Sequence, residues 1–162
     1  MMTNKIGLIA GEGKMPVYIA QKATSKGYEV YVAGAKGNAK ETDYKTCAKV
    51  FRAFRLGQLG AGIRFFKEHG VTRVIMAGRV QHTSIFTNLM PDLRGAKFLA
   101  SLKNMQTKNI LSRVMDEFKK DGIEFEHSAL FLEDFMPQKG VLSARKPTAE
   151  EQQAAEFGYK TA

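Results

Sequence analysis

The segment from Lys5 to Pro16 constrains the fold more than any other part of the chain. It begins with a short apolar run that is typical of a buried strand. Gly11 and Gly13 follow, and they allow backbone conformations or close approaches that a β-carbon would block. Pro16 suits the first turn of a helix, where a missing N–H group costs nothing. Because a strand, a glycine loop and a helix start direct backbone N–H groups at an anion, this pattern predicts a phosphorylated or nucleotide-like ligand.

Length and composition indicate a globular protein. The 162 residues suffice for one domain with a sizeable core. No apolar run approaches the roughly 20 residues that span a bilayer, and the first residues show no signal-peptide pattern. The single Cys47 excludes an internal disulfide, and the three histidines do not have the spacing of a zinc site. We therefore expect a cytoplasmic protein.

The formal net charge of +9 is unusual. It is consistent with binding to nucleic acid, to an anionic membrane surface or to a phosphorylated small ligand, and also with a basic surface that has no specific partner. Lysines and arginines are spread along the chain, and no zinc-finger spacing or RNP-type aromatic signature is present. Nucleic acid is therefore the least favoured of these partners.

Strand and helix patterns alternate along the first half of the chain. Since parallel neighbours in a sheet need crossover connections, this alternation predicts an α/β fold with a parallel sheet and flanking helices. Strands are predicted at residues 6–9, 28–33, 50–54 and 72–77, with an added strand at 123–127.

In such a sheet, ligands bind beyond the carboxyl ends of the strands, at a switch point in strand order. The glycine-bearing segments 11–14, 34–37, 55–58 and 78–82 are predicted to lie on that edge. Substrate contacts are predicted there for Gly11, Gly13, Lys14, Gly57, Gln58, Gly78, Arg79 and His82.

Helix signals dominate the second half. Asp92 is predicted to cap a helix whose apolar face is Leu93, Ala96, Leu99 and Leu102.

Two further helices have clear start signals. Thr107 is predicted to cap a helix that stops at Asp121-Gly122. Thr148 and Glu151 form a capping box, so another helix is predicted to begin there. The chain ends about three turns into that helix, which predicts a truncated piece or a linker. The expected organisation is a substrate-binding domain at 1–145 and the start of an interdomain linker helix at 146–162.

Several familiar motifs are absent. A dinucleotide-binding fingerprint needs a third glycine where Pro16 stands, and an acidic residue at the end of the second strand. The P-loop pattern is nowhere present. No nucleophile, base and oxyanion-stabilising group can be assembled, so no catalytic residue and no metal ligand is predicted in this chain.

Five motifs occur in order across nearly the whole chain. They are the glycine-rich segment 7–13 with Pro16, the segments 55–60 and 74–80, Pro91-Asp92-Leu93-Arg94, and 140–142 followed by Pro147-Thr148-x-x-Glu151. Together they resemble the amino-terminal half of the Mg²⁺-dependent UDP-2,3-diacylglucosamine pyrophosphatases of lipid A synthesis. Arg79 and the pair Gln81-His82 depart from the pattern of that family.

The resemblance implies a Rossmann-like substrate-binding domain and a second domain, expected to be missing here, that carries the catalytic, metal-binding carboxylate. The implied reaction is attack of water on the α-phosphate of UDP-2,3-diacylglucosamine, giving UMP and 2,3-diacylglucosamine 1-phosphate (lipid X). Mg²⁺ is the implied cofactor, and this chain alone is expected to be inactive. The implied partner is an anionic lipid-linked nucleotide sugar, met peripherally at the inner face of the cytoplasmic membrane. The apolar residues Ile85, Phe86, Leu89 and Met90 either meet acyl chains or pack beneath their own loop.

Two alternatives stay open at this point. One is a stand-alone phosphate- or nucleotide-binding module without catalysis, and the other is a basic nucleic-acid-binding protein. A homodimer is compatible with either of them and with the pyrophosphatase.

Overall fold

The computed structural model describes residues 4–80, 89–102, 107–137 and 140–161, with the backbone alone at 107–109. It divides into two compact units, Met1–Leu132 and Glu133–Ala162. The first unit contains β1 Lys5–Ala10, α1 Lys14–Ser25, β2 Glu29–Ala35, β3 Val50–Phe54, α2 Leu59–Glu68, β4 Arg73–Ala77, α3 Leu93–Ala100, α4 Thr107–Lys119 and β5 Glu124–Phe125, with 3₁₀ turns at Glu41–Tyr44 and Ser128–Phe131. The second contains a 3₁₀ turn at Glu133–Phe135 and α5 Ala149–Thr161.

The five strands form one parallel sheet in the order β3-β2-β1-β4-β5. β1 lies at the centre, in register with β2 from Lys5 opposite Glu29 to Ala10 opposite Gly34. The strand order reverses between β1 and β4, which makes that position the topological switch point. This arrangement is an α/β, Rossmann-like layered sheet, as predicted.

Helices cover both faces of the sheet and enclose two cores. On one face, Ile19 and Ala20 of α1 pack in a cluster that includes Leu8 of β1. On the other face, Phe66 of α2 and Phe118 of α4 belong to a second buried cluster. The two layers hold the sheet rigidly, so the loops at its carboxyl edge have fixed starting points.

The added strand is shorter than predicted. Pairing with β4 covers only Glu124 and Phe125, and the chain then turns into the 3₁₀ segment. The turn buries Phe131, whose ring meets that of Tyr28 edge-on with 5.4 Å between centroids. Burial of this aromatic ring outweighs further strand pairing.

Helix α3 packs differently from its predicted apolar face. Leu93 is 76% exposed and Leu99 is 37% exposed. The helix instead turns Gly95 inward, where a β-carbon would lie 1.8 Å from the carbonyl oxygen of Gly57. A backbone-to-backbone contact therefore replaces the predicted side-chain packing.

The carboxylate of Asp92 caps two helices. Its Oδ1 accepts a hydrogen bond from the N–H of Gly95 in α3 (2.8 Å), which confirms the predicted cap. Its Oδ2 accepts a second bond from the N–H of Ala61 in the first turn of α2 (2.8 Å). One side chain thus fixes the amino ends of α2 and α3 relative to each other.

A network of charged side chains joins α2, α3 and the end of α4. Arg94 donates from Nε to Glu117 Oε2 (3.0 Å) and from another nitrogen to the Glu117 carbonyl oxygen (2.7 Å), and it also pairs with Asp121. Lys67 of α2 lies 2.8 Å from Asp121 Oδ1. The ion pair with Lys120 and then the Arg94 guanidinium lower the pKa of Glu117, while Lys67 and then Arg94 lower the pKa of Asp121.

This network predicts acid-sensitive stability. Because the folded pKa values of Glu117 and Asp121 lie below their ordinary values of 4.5 and 3.8, the unfolded chain binds more protons in acid. The stabilisation is complete above those ordinary values and is lost as the pH falls through the folded ones. We expect Arg94→Gln to cost about 2 kcal/mol at pH 7 and clearly less at acidic pH, in urea titrations at each pH. Arg64→Gln, at an exposed arginine of α2, serves as the control. If the loss of unfolding free energy in Arg94→Gln were the same at every pH, the ion pairs of Glu117 and Asp121 would not be its cause.

The second unit confirms the predicted capping box. The N–H of Thr148 donates to Glu151 Oε2 (2.8 Å), and the N–H of Glu151 donates to Thr148 Oγ1 (3.3 Å). Arg145 binds both carboxylate oxygens of Glu151. The helix near the end of the chain is therefore present, while the division at residues 145 and 146 stays a prediction.

None of the helices in the described ranges has the length and apolar composition that crossing a bilayer requires.

Candidate functional site

The glycine turns that follow β1 and β4 contact each other at the switch point. The N–H of Glu12 donates to the Arg79 carbonyl oxygen (2.7 Å), and the N–H of Arg79 donates to the Glu12 carbonyl oxygen (3.0 Å). The N–H of Gly11 donates to the carbonyl oxygen of Ala77 (2.9 Å). We call the paired Glu12 and Arg79 the switch-point clamp. The main-chain N–H groups of both residues are thus already bonded to the neighbouring loop.

The clamp explains the glycines on either side of it. Gly78 has a φ of 90°, and a β-carbon there would lie 2.7 Å from Pro16 Cγ. A β-carbon on Gly11 would lie 2.6 Å from the Arg79 carbonyl oxygen. Glycine at positions 11 and 78 therefore lets two backbones approach closely. Their predicted contact with substrate stays a prediction, and the structure supplies a packing reason for the same residues.

The amino end of α1 is open. Gly13 precedes the helix with a φ of 116°, and no atom lies within 4 Å of where its β-carbon would stand. Gly13, the residue before the helix, has no side chain that could cap it, and the first turn contains no acidic residue. The first N–H groups of a helix have no intrahelical acceptor, and the helix dipole is positive at that end. Gly13 and Lys14 thus lie at a helix end that can supply backbone donors and a cation to an anion, while their contact with substrate stays a prediction.

A cavity of about 710 Å³ adjoins this end of α1. Its volume is in the range of small-molecule and cofactor sites. Two of the predicted segments, 11–14 and 34–37, meet in its lining. Its main polar and glycine lining residues are Gly13, Lys14, Tyr18, Gly37, Asn38 and Lys40.

The charge in this cavity is mixed. Two lysines are accompanied by the carboxylates of Glu12 and Asp43. Arg79 Nη2 lies 3.5 Å from Glu12 Oε2, and this contact offsets part of the negative charge beside α1. The exposed Arg79 side chain is therefore adjacent to the cavity through Glu12.

Gly57 and Gln58 lie outside this cavity lining. The N–H of Arg55 donates to Gln58 Oε1 (2.8 Å), and Gly57 has a φ of 90° with Pro91 against it. Both residues shape the turn from β3 to α2. Since β3 is two strands from β1, their turn lies roughly 10 Å along the same edge. Predicted His82 lies outside the described residues.

Within the ranges that the structure describes, no group of three or more His, Cys, Asp or Glu side chains has metal-binding geometry. No catalytic step through a metal is assigned to those residues. Cys47 is buried, where desolvation raises the pKa of its thiol, as suits a core residue.

Comparison with known proteins places the chain in a family. Residues 5–135 match the family model described as the LpxI N-terminal domain. The chain belongs to the LpxI N-terminal domain family. It is 33% identical over 150 residues to the UDP-2,3-diacylglucosamine pyrophosphatase LpxI of Caulobacter vibrioides, an alignment that covers 90% of this chain and 52% of that protein. The chain thus spans about half the length of this LpxI relative, and the predicted family is confirmed.

Solved structures that match this chain include two UDP-glucose 4-epimerases. The Stenotrophomonas maltophila enzyme has a TM-score of 0.49 and 12% identity, covering 98% of this chain and 49% of its own. The Bifidobacterium longum enzyme has a TM-score of 0.47 and 14% identity, covering 97% and 49%. The fold assignment of this LpxI-type domain rests on its own strand order.

Sequence reasoning missed part of the cavity wall. Asn38 and Lys40 lie beyond the predicted segment 34–37, and Tyr18 lies one turn into α1. The signal was available in part, because a loop that follows the strand beside β1 lies next to the start of α1. Extending the segment to the 3₁₀ turn at Glu41 would have included both loop residues.

Proposed function

We propose that the first unit binds the diphosphate of a nucleotide sugar at the amino end of α1. In this proposal the chain is the substrate-binding half of a hydrolase that cleaves UDP-2,3-diacylglucosamine to UMP and lipid X. The observation that carries the proposal is the uncapped amino end of α1, which opens on a cavity of about 710 Å³. Membership of the LpxI family supports the choice of substrate.

The chemistry of the cavity suits a diphosphate. A helix amino end with free backbone donors is a general anion site, and Lys14 adds a charge-assisted donor at the same point. Lys40 on the opposite loop supplies a second cation. Glu12 and Asp43 limit how much negative charge the cavity accepts, which favours a ligand whose phosphates lie near the lysines and whose sugar lies near the carboxylates.

We assign the chemical step to residues outside the described part of the chain. Attack of water on an α-phosphate needs a base or a metal ion to activate the water. Among the described residues no group of three or more His, Cys, Asp or Glu side chains could hold a metal ion, and the Caulobacter LpxI is nearly twice as long as this chain. Mg²⁺ is proposed to bind in that further part. We also propose that a lipid-linked substrate would bring the protein to the inner face of the cytoplasmic membrane, peripherally and from the cytoplasm.

Lys14→Ala tests the proposed anion site. We expect this variant to bind UDP about tenfold or more weakly, because a charge-assisted hydrogen bond to phosphate is lost. Isothermal titration calorimetry with UDP measures the change. The matched control is Lys22→Ala, which removes the same charge from the last turn of α1. Equal losses of UDP affinity in the two variants, or no UDP binding by the unaltered chain, would refute the proposed anion site.

The second candidate is a nucleotide-binding module without catalysis, for which the cavity beside α1 would suffice. UMP release from UDP-2,3-diacylglucosamine separates the two candidates. We expect none from the chain alone, and release when the carboxyl-terminal half of the Caulobacter relative is added with Mg²⁺. UDP binding without release in the mixture favours the module. Steeply salt-dependent RNA or DNA binding without UDP affinity would favour a nucleic-acid partner instead.

A further inference from the structure

An apolar surface lies where α3 begins. Leu89 is 46% exposed, Met90 is 53% exposed and Leu93 is 76% exposed. We call these three residues the α3 apolar surface. Leu93 belongs to the face that the sequence pattern assigns to the core, so its exposure is unexpected. The three residues fall within five positions of the chain, and grouped exposed aliphatic side chains mark a binding surface more often than isolated ones do.

The surface is held by an ordered backbone. Leu89 forms a parallel bridge with Leu56, and the N–H of Met90 donates to the Leu56 carbonyl oxygen (2.9 Å). The guanidinium of Arg55 contacts the sulfur of Met90. Asp92, next in the chain after Pro91, is fixed by its two caps. Backbone hydrogen bonds and the two caps therefore hold the segment that carries the exposed apolar side chains.

Cations flank this surface. Arg64 lines a cavity of about 400 Å³ together with Leu93, and Lys97 follows Leu93 by four residues on the same helix. Both are exposed, and neither forms an ion pair within the described ranges.

Three carboxylates line the same cavity, and two of them are already bonded. Asp92 caps two helices, and Asp121 pairs with Arg94 and Lys67. Glu68 is the third. The unpaired positive charges at the edge of the apolar surface are thus only partly offset.

We propose that the α3 apolar surface docks on an anionic phospholipid bilayer. Leu89, Met90 and Leu93 enter the boundary between headgroups and acyl chains, while Arg64 and Lys97 meet lipid phosphates. The combination of exposed aliphatic side chains with unpaired cations selects a lipid surface over a second protein. The inference rests on the proposed function in placing the partner at a membrane, and it names the residues that make the contact.

Vesicle co-sedimentation tests this surface. We use vesicles of phosphatidylcholine alone and of phosphatidylcholine with phosphatidylglycerol. The variant Leu89→Ser, Met90→Ser, Leu93→Ser is expected to bind the mixed vesicles about tenfold or more weakly. Arg64→Gln with Lys97→Gln is expected to lose about tenfold on the mixed vesicles and little on the neutral ones.

The matched control removes exposed aliphatic side chains elsewhere. Leu111→Ser with Met115→Ser alters two exposed residues of α4 and is expected to retain vesicle binding. Equal loss of vesicle binding in this control, no loss in the triple variant, or a change in oligomeric mass without a change in vesicle binding would overturn the proposal.

Each variant is also titrated with UDP, which has no acyl chain. Retained UDP binding with unchanged vesicle binding refutes the docking surface alone, whereas failure of the unaltered chain to bind UDP refutes the proposed function.

Discussion

Gly95→Ala is expected to destabilise the protein by about 4 kcal/mol or to prevent its folding. The β-carbon would be 1.8 Å from the carbonyl oxygen of Gly57, and neither backbone can yield cheaply. Asp92 fixes α3 at one end, and Arg94 ties the same helix to α4. Relief of the clash would therefore require α3 to move away from α2. Urea unfolding followed by circular dichroism measures the loss.

Gly62→Ala is the matched control for this variant. It places the same methyl group in a helix interior where no atom lies within 4 Å. Since alanine favours a helix over glycine by up to about 1 kcal/mol, Gly62→Ala is expected to stabilise the protein. Similar stabilities for the two variants would show that α3 does not contact Gly57 as closely as described.

Asp92→Ala is expected to cost about 2–4 kcal/mol, because two helix caps are lost with one side chain. Each cap of this kind is worth about 1 kcal/mol, and a partly buried donor left without an acceptor adds to the loss. Urea unfolding measures the total. Hydrogen exchange at the amides of Ala61 and Gly95 measures whether both helix ends open.

Asp92→Asn separates the two caps. Its single amide oxygen accepts from one helix, and its NH₂ group faces the N–H of the other. We expect about half of the alanine effect, with faster exchange at only one of the two amides. A loss equal to that of Asp92→Ala with both amides exposed would mean that the charge, and not the number of acceptors, holds the helices.

The strands and most helices were predictable because their signals are local. The run 50–54 is β3 without change of boundary, and the predicted strand 72–77 differs from β4 by one residue. Asp92 caps α3, and Thr148 with Glu151 caps α5, because these bonds join residues three positions apart. Parallel pairing followed from the alternation of strands with helices.

The packing of α3 was not predictable from its periodicity. The leucine pattern of residues 93–102 is typical of a core face, yet Gly95 makes the buried contact. The contact depends on Gly57, nearly forty residues away, and a sequence pattern carries no signal for it. The second cap by Asp92 escaped prediction for the same reason.

The sequence predicted the position of the glycine turns at the candidate site, while their contacts with substrate stay predictions. The open end of α1 with Gly13 and Lys14 is where the sequence places an anion site. The sequence also predicted free backbone amides after β1 and β4. In the structure the amides of Glu12 and Arg79 are bonded to each other's carbonyl oxygens. From the sequence, Gly11 and Gly78 were predicted to contact the ligand. The pairing of their neighbours Glu12 and Arg79 joins two loops that are far apart in the chain, so it could not be predicted from local sequence.

The switch-point clamp has a consequence for protein engineering. Installing a nicotinamide cofactor on this scaffold would require more than a third glycine in place of Pro16. The amides of Glu12 and Arg79 could contact such a cofactor only after the main-chain bonds between these two residues are broken, at roughly 1 kcal/mol each. Redesign of this scaffold toward redox chemistry is therefore better begun by rerouting the loop after β4 than by editing the loop after β1.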